Sequence, residues 1–189
     1  MSQNLQGQFL VALKHLKDPN FFQTVVLLLE HDDNSAMGLV INSPDALGVA
    51  EALSLVTGKD DQSSGPIYAG GPVEPSALFI LHNCSELDPD DKEISSGVFL
   101  TGSSESFESL IERAMTNEQE CGFRIFRGYA GWGADQLEGE ISRGDWGIIP
   151  ADANLVFDDD PYSVWERCFR QVQIQNRFLQ LESANPEWN

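Results

Sequence analysis

His31 and His82 are the side chains best suited to chemistry, each closing an apolar run, TVVLLLEH and ALFILH. Imidazole titrates near neutral pH and ligates metals. A His31/His82 pair joined by Glu30 or Glu74 would therefore make a general acid–base or metal-assisted hydrolytic centre. No HExxH or comparable local spacing accompanies them. The ordinary alternative is a pair of histidines that satisfy backbone groups at strand ends. His15 reads as a surface residue. A nucleophilic hydrolase would need an activated serine or cysteine, and GxSxG and SxxK are both absent. Cys168 falls on the apolar face of an expected helix, where a small filler is the common role. No catalytic residue is assigned, and neither a metal nor a cofactor is expected.

Two glycine-bearing stretches offer binding instead of catalysis. Gly70-Gly71-Pro72 can bring backbone close to a small molecule, and Tyr68, Tyr129 and Trp132 can line the same space with aromatic surface. With His31 and His82 these residues form the candidate ligand cleft: Gly70, Gly71, Tyr129, Trp132, His31 and His82. The competing reading is a tight turn over core aromatics. The second stretch, GYAGWGADQLEGE from Gly128 to Glu140, invites a phosphate at a helix start. It lacks the third glycine of the dinucleotide fingerprint and any P-loop lysine. Asp135 and Glu138 at that helix end would also repel an anion.

Behind these residues the chain alternates short strands and helices. Gln8–Leu13 reads as a strand, and Asp18-Pro19 opens one helical turn. Thr24–Glu30, apolar on both faces, and Ala36–Asn42 make an antiparallel hairpin around Asp32–Ser35. Ala50, Leu53 and Val56 have helical spacing that ends at Gly58, and Lys59–Gly65 is a loop. Pro66–Ala69 and Ala77–His82 are strands compatible with pairing, Asn83–Ile94 is an acidic loop, and Val98–Thr101 is a strand. Ser104 caps an amphipathic helix through Met115.

Phe123–Tyr129 then enters the core as a strand and bends at Gly128, Gly131 and Gly133. A helix follows, with Asp135 and Glu138 as a capping box and Leu137/Ile141 as its apolar pair. Gly139, costly inside a helix, suggests close approach of another group, and Gly144 stops the helix. Trp146–Pro150 is strand-like and Leu155–Phe157 a short extension. Pro161 starts a last helix with Val164 or Trp165, Cys168, Phe169 and Val172 inward.

The 189 residues suffice for one core, and no linker divides them. A single domain over 1–182 is expected, with a mobile tail at 183–189. Eleven basic against 30 acidic residues give a net charge of −19. That balance disfavours nucleic-acid backbones and anionic membranes as partners and leaves a protein partner or small ligand. Direct DNA binding would need Arg113, Arg124, Arg127 and Arg143 on one face. Cys84, Cys121 and Cys168 show no CxxC and suggest neither a disulfide framework nor a zinc site, which fits a reducing compartment. No apolar run reaches signal or membrane-spanning length, so a cytoplasmic location is expected. Oligomeric state is left open.

Three blocks, DPNFFQTVVLLLEHDDNSAMGLVIN (18–42), YAGGPVEPSALFILH (68–82) and GYAGWGADQLEGEISRGDWGIIPAD (128–152), resemble in order and spacing those of the YqgE/AlgH family of bacterial proteins. The resemblance spans nearly the whole chain. It implies an α+β single domain, with a mixed, largely antiparallel bifurcated β-sheet partly closed into a barrel and flanked by helices. It brings no settled activity: the family's label as a transcriptional regulator rests on a genetic association with alginate control. A non-enzymatic regulatory or binding module, with indirect transcriptional effects, is the expectation that follows. Lys14-His15 stands where a proline-containing segment is common in the family, and Ser43-Pro44 where Arg-Pro is usual.

Overall fold

A computed structural model describes residues 4–48, 66–84, 90–101 and 122–183. Ten strands lie among them: β1 (Gln8–Ala12), β2 (Val25–His31), β3 (Ser35–Val40), β4 (Pro44–Gly48), β5 (Pro66–Ala69), β6 (Val73–His82), β7 (Lys92–Ser95), β8 (Val98–Thr101), β9 (Phe123–Gly133) and β10 (Trp146–Pro150). They form one curled sheet in the order β10-β1-β2-β3-β9-β6-β8-β7. Strand β4 pairs with β5, and β5 runs parallel to β9, the one parallel pair in an otherwise antiparallel array. A single 3-10 turn, Pro19–Phe21, and helices α1 (Gln136–Ser142), α2 (Ala153–Val156) and α3 (Pro161–Ser183) complete the described fold. This is the mixed, bifurcated α+β architecture expected.

The uninterrupted apolar run of β2 has a direct use. Val25, Leu27 and Leu29 enter one core cluster, and Val26 and Leu28 enter another on the opposite face. Period-two geometry thus divides a single strand between two cores. Helix α3 covers the first with Val164, Cys168 and Val172. It lies so close to β10 that a Cβ at Gly147 would stand 2.6 Å from a methyl of Val172. Deep burial pushes the Cys168 thiol up to about 12, which makes it an inert filler. Phe21, Trp132, Trp146 and Leu137 belong to the second cluster.

The sheet also curls back on itself. Gly7, at φ +74°, sits where an added Cβ would be 2.5 Å from the Ile94 carbonyl of β7, while Ala151, just past β10, donates its N–H to the Gly7 carbonyl. The two ends of the strand order therefore meet across one residue, the partial closure anticipated.

Several local expectations are corrected. Strand β9 does not bend away at its glycines; it continues through Gly133, because Gly128 at φ +65° lets it leave β6 and join β3 without breaking. Strands β5 and β6 do not pair with each other, since both take β9 as neighbour. Lys92–Ser95, within and just past the supposed acidic loop, is a strand on β8. The supposed extension at Leu155 belongs to α2, capped by Asp152, whose carboxylate accepts the Asn154 N–H at 2.9 Å.

Asp135 adopts the left-handed conformation and makes no side-chain cap. Nothing crowds Gly139: a Cβ added there would meet only the guanidinium of Arg143, at the end of the same helix, at 3.5 Å. Cys84 is disulfide-bonded, which the scattered cysteines did not foretell. The helices expected at Ala50–Val56 and Ser104–Met115, and residues 184–189 of the expected tail, lie outside the described residues.

Candidate functional site

The structure does not bring the six candidate residues together. His31 pairs across β3 to Ala36, which faces Trp132 on β9, whereas His82 faces Phe123 on the same strand. Those two levels of β9 are separated by roughly 30 Å of strand at about 3.3 Å per residue. A catalytic centre that shares both imidazoles is therefore not formed. Among the described residues no three His, Cys, Asp or Glu side chains converge as a metal would require.

Each histidine instead has its own carboxylate. His31 accepts the Leu5 N–H at Nδ1 (3.2 Å), so its proton lies on Nε2, which donates to Glu138 Oε1 at 3.0 Å. Glu138, expected to close a capping box, ties helix α1 to β2 instead. One residue on, the Asp32 carboxylate accepts the N–H groups of Asn34 and Ser35, which hold it below its usual range and fix the hairpin turn. His82 accepts the Cys84 N–H at Nδ1 (3.3 Å), and its Nε2 lies 3.0 Å from Asp91 Oδ2, off the line of a straight hydrogen bond. Both side chains are enclosed and Phe99 stacks on the ring. Burial lowers the His82 pKa, with Asp91 opposing that shift.

Trp132 belongs to the His31 end of β9. Its indole N–H donates to Glu140 Oε2 (2.9 Å), and the same oxygen takes the N–H of Trp146 (2.8 Å), with Phe21 packed against both rings. One carboxylate thus orients two tryptophans, a link the sequence signals only through its two buried-type indoles.

Gly70 and Gly71 lie midway along β9 and touch it directly. A Cβ on Gly71 would fall 2.1 Å from the Tyr129 carbonyl carbon, and one on Gly70 would fall 2.4 Å from the Gly128 carbonyl oxygen. Gly70 also donates to the Arg127 carbonyl and accepts from Val40, bridging the fork where β9 passes from β6 to β3. Backbone packed on backbone occupies the space between these bends. Tyr129 leans over it in an edge contact with Phe79.

The arginines do not share a free basic face. Arg124 is buried over the Tyr68 ring and bonds the Asp158 carbonyl, Arg127 pairs with Asp45, and Arg143 pairs with Asp145. Burial lowers the Arg124 pKa and raises that of Tyr68. Arg113 lies outside the described residues.

Open aromatic surface occurs elsewhere, where the Pro19–Phe21 turn meets the start of α3. Phe22 is 72% exposed and Tyr162 80% exposed. They flank two adjoining cavities of about 180 and 210 Å³ that share Phe22, Gln23 and Trp165 as walls. Trp165 is held in place by donating its indole N–H to the Ala12 carbonyl (2.8 Å). Gln23 has φ +53°, a costly conformation for a residue with a Cβ. Asn42 maintains it by donating to the Gln23 carbonyl (3.0 Å) while accepting the Val25 N–H (2.8 Å). Sequence reasoning passed over this groove. Its signal was the Phe21-Phe22 pair, in which one ring turns inward and the other is left outside.

Comparison with known proteins agrees with this architecture. The family described as AlgH-like, DUF179, matches residues 9–177. A UPF0301 protein of Chlorobaculum tepidum is 35% identical over 87% of this chain and 84% of its own, and one of Thioalkalivibrio sulfidiphilus is 35% identical over 92% of each. The solution structure of the AlgH protein from Pseudomonas aeruginosa aligns over 100% of both chains, with a TM-score of 0.69 and 33% identity. The family match over residues 9–177, the relatives at 35% identity and the full-length structural alignment lead to one conclusion: this chain belongs to the AlgH-like family of UPF0301 proteins.

Proposed function

We propose that this protein is a non-enzymatic regulatory or binding module that docks a protein partner in the groove between Phe22 and Tyr162. The observation that carries the reading is the pair of large rings left in solvent above two cavities, beside a strained Gln23 whose conformation the fold maintains. Contiguous exposed apolar surface on a soluble domain marks interaction sites. Both cavities open to solvent and enclose no space that would bury most of a small ligand. Partner side chains therefore suit the groove better than a single buried ligand. The net charge of −19 favours a protein over a nucleic-acid partner, so any influence on transcription would run through that partner.

The test is site-specific photocrosslinking in the native host, with a benzophenone side chain in place of Phe22 and, as control, in place of the exposed Asp33. The expected result is a discrete adduct at Phe22 that Tyr162→Ala abolishes and that mass spectrometry assigns to one protein. Adducts equal at both positions, or indifferent to Tyr162→Ala, would overturn the proposal.

A further inference from the structure

We infer that Asn42 is the positioning residue of the groove: its side chain holds the Phe21–Thr24 turn that keeps the Phe22 ring outside while Phe21 enters the core. This rests on the docking reading above and adds how the docking ring is presented. Phe22 has φ −63° and ψ 118°, Gln23 has φ +53°, and the Thr24 N–H points to the Phe21 carbonyl at 3.4 Å. Those features make a type II turn, whose third residue is ordinarily glycine because its φ is positive. Here that place belongs to glutamine, so something outside the turn must hold it.

The turn is tied at both ends. At its entry the Phe21 N–H donates to the Asp18 carbonyl (3.1 Å), and the Phe21 ring packs against Trp132 and Trp146. At its exit the Asn42 carboxamide makes both ties: Oδ1 accepts the Val25 N–H (2.8 Å), and Nδ2 donates to the Gln23 carbonyl (3.0 Å). Asn42 is 9% exposed, which leaves little water to take over either bond. Ile41 still donates to the Val25 carbonyl through main chain (2.9 Å), whereas the Val25 N–H goes to the Asn42 side chain, and β2 begins there. Without that stop, a backward extension of β2 would alternate, with Gln23 toward the cluster of Val25 and Leu27 and Phe22 toward that of Val26 and Leu28. Phe22 would then face the core that Phe21 now enters. The turn decides which of two adjacent rings the core takes, and Asn42 decides the turn.

The experiment places a trifluoromethylphenyl side chain at position 22 of the full chain and reads its exposure by fluorine NMR, as broadening by a soluble nitroxide, well below each variant's melting point. In Asn42→Ala the ratio of exposed to buried ring should fall about fivefold, the worth of roughly one hydrogen bond. Glycine accepts a positive φ freely, so Asn42→Ala/Gln23→Gly should return to within about twofold of the parent. Gln23→Val with Asn42 intact should also fall about fivefold, because a β-branched residue resists positive φ. Position 23 is exposed, and glycine and valine both delete the amide side chain, so their opposite effects report the backbone. The yield of the benzophenone adduct at position 22 should follow the same order.

A folded Asn42→Ala chain whose ring stays exposed, or one that Gln23→Gly fails to restore, would overturn the inference. If Asn42→Ala does not fold, Gln23→Val decides: a loss of exposure supports the inference and unchanged exposure sinks it. Fluorine signals in the expected order without any adduct would uphold the positioning and sink docking. Adducts that ignore a measured loss of ring exposure would strip Asn42 of any part in docking.

Discussion

The two ends of strand β9 solve one problem in opposite ways. Each receives a histidine at a strand end, each ring accepts a nearby backbone N–H at Nδ1, and each Nε2 lies 3.0 Å from a carboxylate oxygen. Yet the Glu138 side chain is 38% exposed, whereas that of Asp91 is 3% exposed. Water can replace Glu138 at little cost, but nothing replaces His82 beside a carboxylate already taken out of solvent. The same pair of residue types is a surface tie at one end and a structural commitment at the other.

This contrast can be broken by mutation. Replacing His82 with Ala should be the most damaging change, costing about 3–5 kcal/mol in urea unfolding, because a fully buried ring stacked on Phe99 is removed and a cavity is left beside Asp91. A loss under about 1 kcal/mol would show that the two ends are equivalent after all.

Next in size is the effect of acid. The folded pKa of His82 lies below its unfolded value near 6.5. The unfolded chain therefore binds the extra proton first, and stability falls as pH drops below about 6.5, by at most about 1.4 kcal/mol per pH unit. The unfolding midpoint measured from pH 7.5 to 5.0 should decline more steeply in wild type than in His82→Gln. Parallel profiles would refute the assignment. Smallest of all, Glu138→Ala should cost no more than about 1 kcal/mol, because water can reach the vacated side and take the His31 Nε2 proton.

How much of this could be read in the chain beforehand depends on the range of the determining contact. The β2–β3 hairpin, the Asp18-Pro19 turn and the inward face of α3 were legible because their signals are local: alternation, capping and helical spacing. From sequence, strand β9 reads as bending, because three glycines in six residues usually mark a turn. Here they serve a strand that changes partners, and that need exists only once β3, β5 and β6 surround it. The Asp135–Glu138 capping box failed for a similar reason, since His31 from a distant strand claims Glu138.

The candidate cleft was assembled from residue types that do chemistry, but sheet register alone decides whether strand-end histidines meet. The groove escaped notice because exposure of Phe22 and Tyr162 depends on which neighbouring ring, Phe21 or Trp165, the core claims. Local pattern cannot decide that between adjacent aromatics.

Because β9 is the shared seam, Ser35 must wait for Gly133 and Val73 for Tyr129 before either arm of the sheet is complete. During synthesis the β3 and β6 edges leave the ribosome long before their common partner does. Such distant pairings make for slow folding and an interval of vulnerability to aggregation. A chain cut short before Phe123 would retain most of its strands and still lack the one that joins them, so it should precipitate instead of yielding a smaller stable domain.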